Sequence, residues 1–388
     1  MNEEERREQS ETGLESAMNN LRSGKRSRAK RYVLITLITV AALLLCYAVI
    51  MLVFYRPPVN DKPPFDTETH SDSASVPAIS GNTDGRREDV YNILVAGLDD
   101  ISNSTDVIMI CSLDLKNGAA SVLQIPRDTY INKNVATYKV SRINAVYAAA
   151  YNYEVNHKGK KADEARTTAI NALCDVVEQN MCVVIDRYAV LTIDGFSDII
   201  NKIGGVEFDV PFDMKYSDPE QDLYIDLKAG KQLLDGDRAA QFVRYRYGYS
   251  NADIGRIEKR ADFLRAVAVQ LKQKPLSALE GVISAVIGDC LSTDVGLNDA
   301  VYFLRGAYGI DVENVTIETL AGGSPVDMSS GVVSPYYVMK RYRALEQIND
   351  LMNVYNWDIE DSFFDSKRLF TSGNESFDNY YYQKDVKK

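Results

Sequence analysis

The chain of 388 residues carries 44 Lys+Arg against 55 Asp+Glu, a net charge of −11, with 2 His and 45% hydrophobic residues. That length and apolar content support one large or two small domains with a buried core, and the acidic balance excludes a general nucleic-acid binder, which needs a basic face. His70 lies in a Ser/Asp/Pro-rich stretch and His157 in the polar run Asn156-His157-Lys158-Gly159-Lys160, and the chain has neither HExxH nor a Cys/His zinc spacing; chemistry therefore falls to carboxylates, arginines and a hard metal.

Residues 1–31 hold 8 Lys+Arg and 6 Asp+Glu with few apolar side chains, the composition of a disordered tail. Residues 32–55 contain no charge. As a helix they span about 36 Å against about 30 Å of hydrocarbon, enough for a transmembrane helix. Lys25, Arg26, Arg28, Lys30 and Arg31 directly precede this span. Positive residues stay inside, so the tail is expected in the cytoplasm and everything after Tyr55 outside the cell membrane, on an uncleaved single-pass anchor. Residues 56–88, rich in Pro, Ser, Asp and Thr, read as an extracellular stalk. Cys111, Cys174, Cys182 and Cys290 then lie in an oxidising space, and Cys174 and Cys182 are candidates for a bridge.

Val90–Gly97 and Val107–Leu113 are apolar runs of strand length. Lys116-Asn117-Gly118 is a turn signal before a third strand, Ala119–Ile125, which predicts a hairpin. Arg142–Tyr151 and Ala162–Glu178 read as helices, and Met181–Ile185 and Tyr188–Ile193 as strands. Gly195–Ile203 reads as a short helix stopped by Gly204-Gly205. Val206–Val210 and Leu223–Leu227 are further strands, and Asp237–Val243 and Asp253–Gln273 further helices. The mixture predicts an α/β (α+β) fold, a central mixed sheet with helices on both faces. The expected division is a catalytic domain at 89–275 and a mostly helical extension with a polar tail at 276–388, including a strand near Val315–Leu320.

Three sites carry charge where the pattern is otherwise apolar. Gln124-Ile125-Pro126-Arg127-Asp128 puts an Arg and an Asp at a strand exit that Pro126 stiffens. Asp99 and Asp106 bracket the loop between the first two strands; converging carboxylates there suit Mg²⁺ (or Mn²⁺), and an ordinary solvated turn is the plain alternative. In Phe242-Val243-Arg244-Tyr245-Arg246-Tyr247, an extended backbone would place Arg244 and Arg246 on one face. On the helix that follows, Asp253, Arg256 and Arg260 fall within about 60° of one another and share their face with Ile257 and Leu264. Buried charge needs internal partners or a bound anion. An Asp253–Arg256 pair would meet that need, as would a phosphate, to which arginine's forked donors are suited.

Taken in order, these pieces resemble the LytR–CpsA–Psr family of cell-envelope phosphotransferases. The resemblance covers Tyr91 to Gln273. It rests on Asn92-Ile93-Leu94-Val95-Ala96-Gly97-Leu98-Asp99, Ser104-Thr105-Asp106, Ile125-Pro126-Arg127-Asp128-Thr129, Ile143-Asn144-Ala145, Asp194-Gly195-Phe196, Ile203-Gly204-Gly205-Val206, Leu234-Asp235-Gly236, Val243-Arg244-Tyr245-Arg246 and Asp253-Ile254-Gly255-Arg256. The family implies a sheet flanked by helices. It also implies transfer of a glycopolymer phosphate, such as teichoic acid or capsular polysaccharide, from a polyprenyl-pyrophosphate carrier to peptidoglycan. By that resemblance Arg127, Arg244, Arg246, Arg256 and Arg260 clamp the pyrophosphate, and Asp99 and Asp106 hold the metal. Asp128 or Asp253 positions an arginine or takes the acceptor's proton. Ala145–Tyr151 could line a slot for the lipid tail, although Ala and Tyr at helical spacing also make plain core. Where members commonly carry Arg, this chain has Ile101 and Ser104; Tyr151-Asn152-Tyr153 replaces a Gly-Gly, and the usual spacing would put the last Arg at Lys259. A hydrolase acting on the same carrier, or a non-catalytic binder of anionic polymer, is the competing expectation.

Overall fold

The computed structural model describes residues 57–58, 85–99, 103–131, 138–219, 223–248, 252–326 and 333–361, with the backbone alone for 252–254. All of them belong to one unit, residues 57–388. The expected membrane span at 32–55 lies outside the described residues. Among the described residues, no helix is long and apolar enough to cross a membrane.

The chain opens with β1 (Val90–Leu98), β2 (Thr105–Asp114) and β3 (Ala119–Gln124), an antiparallel meander. Gly118 takes a positive φ of 65° in the second turn, as the Asn-Gly signal implies. Helices α1 (Ala145–Asn156) and α2 (Ala162–Met181) cross over to β4 (Arg187–Leu191), which pairs parallel to β1. After α3 (Ile193–Lys202) come two antiparallel pairs, β5 (Val206–Val210) with β8 (Gly230–Leu234) and β6 (Met214–Asp218) with β7 (Leu223–Leu227). Then follow α4 (Gly236–Arg244), α5 (Ala252–Lys272), α6 (Leu276–Gly288), β9 (Ser292–Thr293), α7 (Leu297–Gly309), β10 (Val315–Thr319) and α8 (Arg341–Leu351). The central sheet has six strands in the order β10-β3-β2-β1-β4-β9. Residues beyond 276, expected as an extension, thus supply two strands to this sheet. At the other end, Arg86 of the expected stalk is fixed to Asp186 at 2.6 Å.

Strand alternation separates the two faces of the sheet. Leu94, Ala96, Leu98, Ile108 and Ile110 pack with Val146 and Tyr147 of α1, Ile170 and Leu173 of α2 and Ile348 of α8. Each such buried aliphatic side chain contributes about 1.5–3 kcal/mol. On the opposite face Tyr91 meets Tyr302 and Phe303 of α7, and Gln124 donates from its Nε2 to the carbonyl of Ile257 on α5. A second core joins the two strand pairs to α3, α4 and α5 through Ile200, Met214, Phe242 and Phe263.

Three expectations change. Met181–Ile185 is not a strand: α2 continues to Met181, Cys182 turns left-handed at φ 52°, and the buried apolar run after it joins no ladder. Its backbone is satisfied by side chains instead. Glu178 accepts from the amide of Ile185 at 2.7 Å, and Asn92 donates to the carbonyl of Val184 at 2.9 Å. The segment 242–247 is not extended throughout, because α4 runs to Arg244 and the chain leaves the helix only from Tyr245 onward. β6 and β8 have no counterpart in the sequence reading. No disulfide joins the four described cysteines, so the candidate Cys174–Cys182 bridge is not formed.

Candidate functional site

The site begins with a fault in the β1–β2 ladder. Gly97 pairs with Val107 but Leu98 pairs with Thr105, which leaves Asp106 as the extra residue of a bulge. Regular alternation would send Asp106 to the face of Ile108 and Ile110, into the apolar core. The bulge releases it from that pattern and turns its carboxylate toward charged partners. Thr105 fixes the bulge: its amide and Oγ1 both donate to the carbonyl of Asn144, at 3.1 and 3.3 Å. The amide of Asn144 donates in turn to the carbonyl of Arg127 at 3.2 Å. The Ile-Asn-Ala segment is therefore a brace between β2 and the exit of β3.

That exit is a tight turn. Both the amide and the hydroxyl of Thr129 donate to the carbonyl of Pro126, at 3.0 and 2.6 Å, so Arg127 and Asp128 project from its apex. Arg127 donates from Nη1 to Asp106 Oδ1 at 2.9 Å, and Arg246 donates to the other oxygen of Asp106. On its far side Arg127 Nε lies 3.5 Å from Asp128 Oδ2, and Arg142 Nε lies 3.4 Å from Asp128 Oδ1. The result is an alternating row, Arg246–Asp106–Arg127–Asp128–Arg142, three cations bridged by two carboxylates. Its centre is half-buried, with the Arg127 side chain 23% exposed.

Arg142 was not among the residues picked out by sequence. Its signal is its place directly before Ile143-Asn144, the brace of the site. Its guanidinium sits over the ring of Tyr336 at 5.1 Å, and Tyr336 meets Tyr130 edge to face at 5.3 Å. Tyr336 arrives from a segment with no motif, held in place where Tyr337 donates to the carbonyl of Asp128 and accepts from the amide of Tyr130.

Arg256 and Arg260 lie in the first turns of α5, 5% and 9% exposed and both partnered. The bond from Gln124 to Ile257 sets that turn against the end of β3, two residues before Pro126. Lys259 instead pairs with Asp262 at 2.8 Å, its side chain 41% exposed, so Arg260 faces inward as the helical wheel requires. Arg244 is half-buried at the end of α4, without an ion pair among the described residues. The side chain of Asp253 lies outside the described set. Asp99 is half-buried at the end of β1, in a turn where its amide donates to the carbonyl of Ser104 at 2.9 Å.

Asp99 and Asp106 stand at the same end of the β1–β2 ladder. Among the described residues there is no group of three or more His, Cys, Asp or Glu that could hold a metal, and both oxygens of Asp106 face arginines. Asp99 and Asp106 alone would give a divalent ion part of its ligands, leaving the rest to water or a bound ligand.

Other pieces of the ordered motif are scaffolding. Asp235 caps α4 by accepting from the amide of Arg238 at 3.0 Å. A Cβ on Gly236 would lie 2.2 Å from the carbonyl oxygen of Ser197, so only glycine lets α4 approach α3. The Ala145–Tyr151 segment turns Val146, Tyr147 and Ala150 into the main core.

The family model for LytR_cpsA_psr matches residues 55–353. The chain belongs to the LytR_cpsA_psr family. Among its relatives is the polyisoprenyl-teichoic acid–peptidoglycan teichoic acid transferase TagV of Bacillus subtilis (strain 168), 25% identical over 68% of this chain and 64% of TagV. The cell wall biosynthesis protein LcpA of Corynebacterium glutamicum is 28% identical over 66% of this chain and 47% of LcpA. The chain thus spans less than two thirds of the length of either. Among solved structures, B. subtilis TagV superimposes with a TM-score of 0.52 at 22% identity, covering 68% of this chain and 95% of that one. TagT bound to LI-WTA superimposes with a TM-score of 0.51 at 20% identity, covering 70% and 92%. These likenesses establish the fold, a mixed sheet flanked by helices.

Proposed function

We propose that this LytR_cpsA_psr member transfers a glycopolymer phosphate from a polyprenyl-pyrophosphate carrier to peptidoglycan on the outer side of the cell membrane, held there by an N-terminal anchor at 32–55. The observation that carries the reading is the convergence on Asp106 of arginines from two separate segments, Arg127 and Arg246. Each acid of the row is a placeholder for phosphate. When a pyrophosphate enters, the guanidiniums exchange carboxylate oxygens for phosphate oxygens without leaving the pocket, so the charge is preorganised. Arg127, Arg244, Arg246, Arg256 and Arg260 form the clamp, and Arg142 extends it beyond Asp128.

In the transfer, an acceptor hydroxyl oxygen forms a bond to the sugar-side phosphorus. The bridging P–O bond breaks and polyprenyl phosphate leaves. The hydroxyl proton passes to a carboxylate, Asp128 or Asp253. One transition-state arginine is worth roughly 10³–10⁵ in rate in other phosphoryl transfers. Mg²⁺, held by Asp99 and Asp106 together with substrate phosphates, would neutralise charge on the leaving group. The names of TagV and LcpA support the polymer class and the wall as destination.

The test uses the full chain in detergent with Mg²⁺, a polyprenyl-pyrophosphate-linked glycan labelled on its sugar, and peptidoglycan. Label moving onto the wall is the expected result. Label released only as soluble sugar phosphate would make the protein a hydrolase, and binding without turnover would make it a tether.

A further inference from the structure

Directly after Arg246 stands an aromatic shelf that phosphate chemistry does not use. Tyr247, 53% exposed, stacks on Tyr216 of β6 with ring centroids 4.8 Å apart and an interplanar angle of 30°. Tyr245, buried, meets the edge of Tyr247 at 6.1 Å, and Phe212 lies tilted against Tyr245 at 6.1 Å. The Tyr216 hydroxyl donates to Asp218 Oδ2 at 3.3 Å. Its pKa is pushed up to about 12, first by hydrogen bonding with the Tyr247 side chain.

Tyr247 lies with one face on Tyr216 and much of the ring in solvent. An aromatic plate backed by a second ring, with hydroxyls and a carboxylate at its rim, offers two kinds of contact. The plate meets C–H faces, and the rim accepts and donates hydrogen bonds to hydroxyl groups. A pyranose presents that combination. A lipid tail would leave the polar rim unmatched, and a phosphate would be repelled by Asp218.

Resting on the reading above, we infer that Tyr216 and Tyr247, with Asp218 at their rim, form a sugar subsite that takes a ring of the donor glycan next to the pyrophosphate. The shelf is tied to the ionic row through the chain, because Tyr247 directly follows Arg246, whose guanidinium reaches Asp106. The subsite makes the enzyme prefer a glycosylated carrier to the bare lipid diphosphate, which is the product-side lipid with one phosphate more. It is a specificity device and takes no part in bond breaking.

The experiment compares binding of two probes to the full chain in detergent: polyprenyl diphosphate and the same lipid diphosphate carrying a disaccharide. The wild type binds the glycosylated probe more tightly. Tyr247→Ala removes roughly five- to tenfold of that preference, the scale of one aromatic contact, and leaves the bare diphosphate unaffected. Tyr247→Phe keeps most of the preference, since the plate remains. Arg246→Ala weakens both probes alike. Equal loss of both probes in Tyr247→Ala, or no loss of either, overturns the subsite. So does a Tyr247→Ala effect confined to the peptidoglycan KM, which would assign the shelf to the acceptor. If the wild type binds neither probe, the functional reading itself falls.

Discussion

Replacing Arg127 by alanine separates a catalytic arginine from a structural one, because the geometry predicts opposite sizes for the two effects. Arg127 touches two acids, Asp106 at 2.9 Å and Asp128 at 3.5 Å. Neither is orphaned when it goes: Asp106 keeps Arg246, and Asp128 keeps Arg142. The penalty of an abandoned buried charge is therefore absent. What is lost resembles a partly exposed ion pair, about 1 kcal/mol or less, which lowers Tm by about 2–4 °C in a domain of this size. The transition state has no such spare partner. Loss of its central donor reduces transfer by roughly 10³-fold or more. Arg127→Lys keeps the charge but cannot reach both sides of the row, and should fall between the two. The assays are thermal unfolding followed by circular dichroism and transfer of sugar label to peptidoglycan. A drop of 10 °C or more in Tm, or transfer within about tenfold of wild type on an intact fold, would falsify the assignment.

Tyr336→Leu removes the ring beneath Arg142 and should lower turnover by roughly three- to tenfold, the range of a partly exposed cation–π contact. Tyr336→Phe should restore it, and in the Arg142→Ala background the Tyr336→Leu change should have no further effect. Mg²⁺ titrated alone into the protein should give little heat, since the described residues hold no group of three or more metal-ligating side chains, and should bind well once polyprenyl diphosphate is present; a tight site in the protein alone would contradict that donor set. Glu154 is held below the usual carboxylate range, chiefly by its hydrogen bond from Lys160. A depressed pKa stabilises the fold above the unfolded value and loses that stabilisation as the pH falls through the folded value. The stability gap between wild type and Glu154→Gln in urea should thus be present at pH 7 and close below pH about 4; a gap that widens on acidification would be the wrong sign.

Much of the frame was legible because hydrophobic period and turn chemistry are local. β1, β2 and the Asn-Gly turn follow from apolar runs of strand length and one left-handed glycine, and the wheel of α5 sets Arg260 rather than Lys259 inward because Arg260 shares the face of Ile257 and Leu264. What was not legible depends on distant partners. The run after Met181 has strand composition, but the amide of Ile185 is claimed by Glu178 and the carbonyl of Val184 by Asn92, where a ladder would need them. The bulge at Asp106 cannot be seen in β2 alone, since it exists only in the pairing with β1. Arg244 and Arg246 looked like one extended face, yet the helix that buries Phe242 continues to Arg244. Tyr336 and Arg142 meet across almost two hundred positions, and no spacing announces that. The residues of the motif also divide by role once their contacts are known: Asn144, Asp235 and Gly236 hold the backbone together, and Asp106, Arg127 and Arg246 form the ionic row.

The most direct measurement is a crystal structure of the domain with polyprenyl diphosphate and Mg²⁺. Both phosphorus atoms should lie within reach of Arg127 and Arg246, with the guanidiniums turned from Asp106 to phosphate oxygens. A diphosphate bound elsewhere while both arginines remain closed on Asp106 would contradict the account.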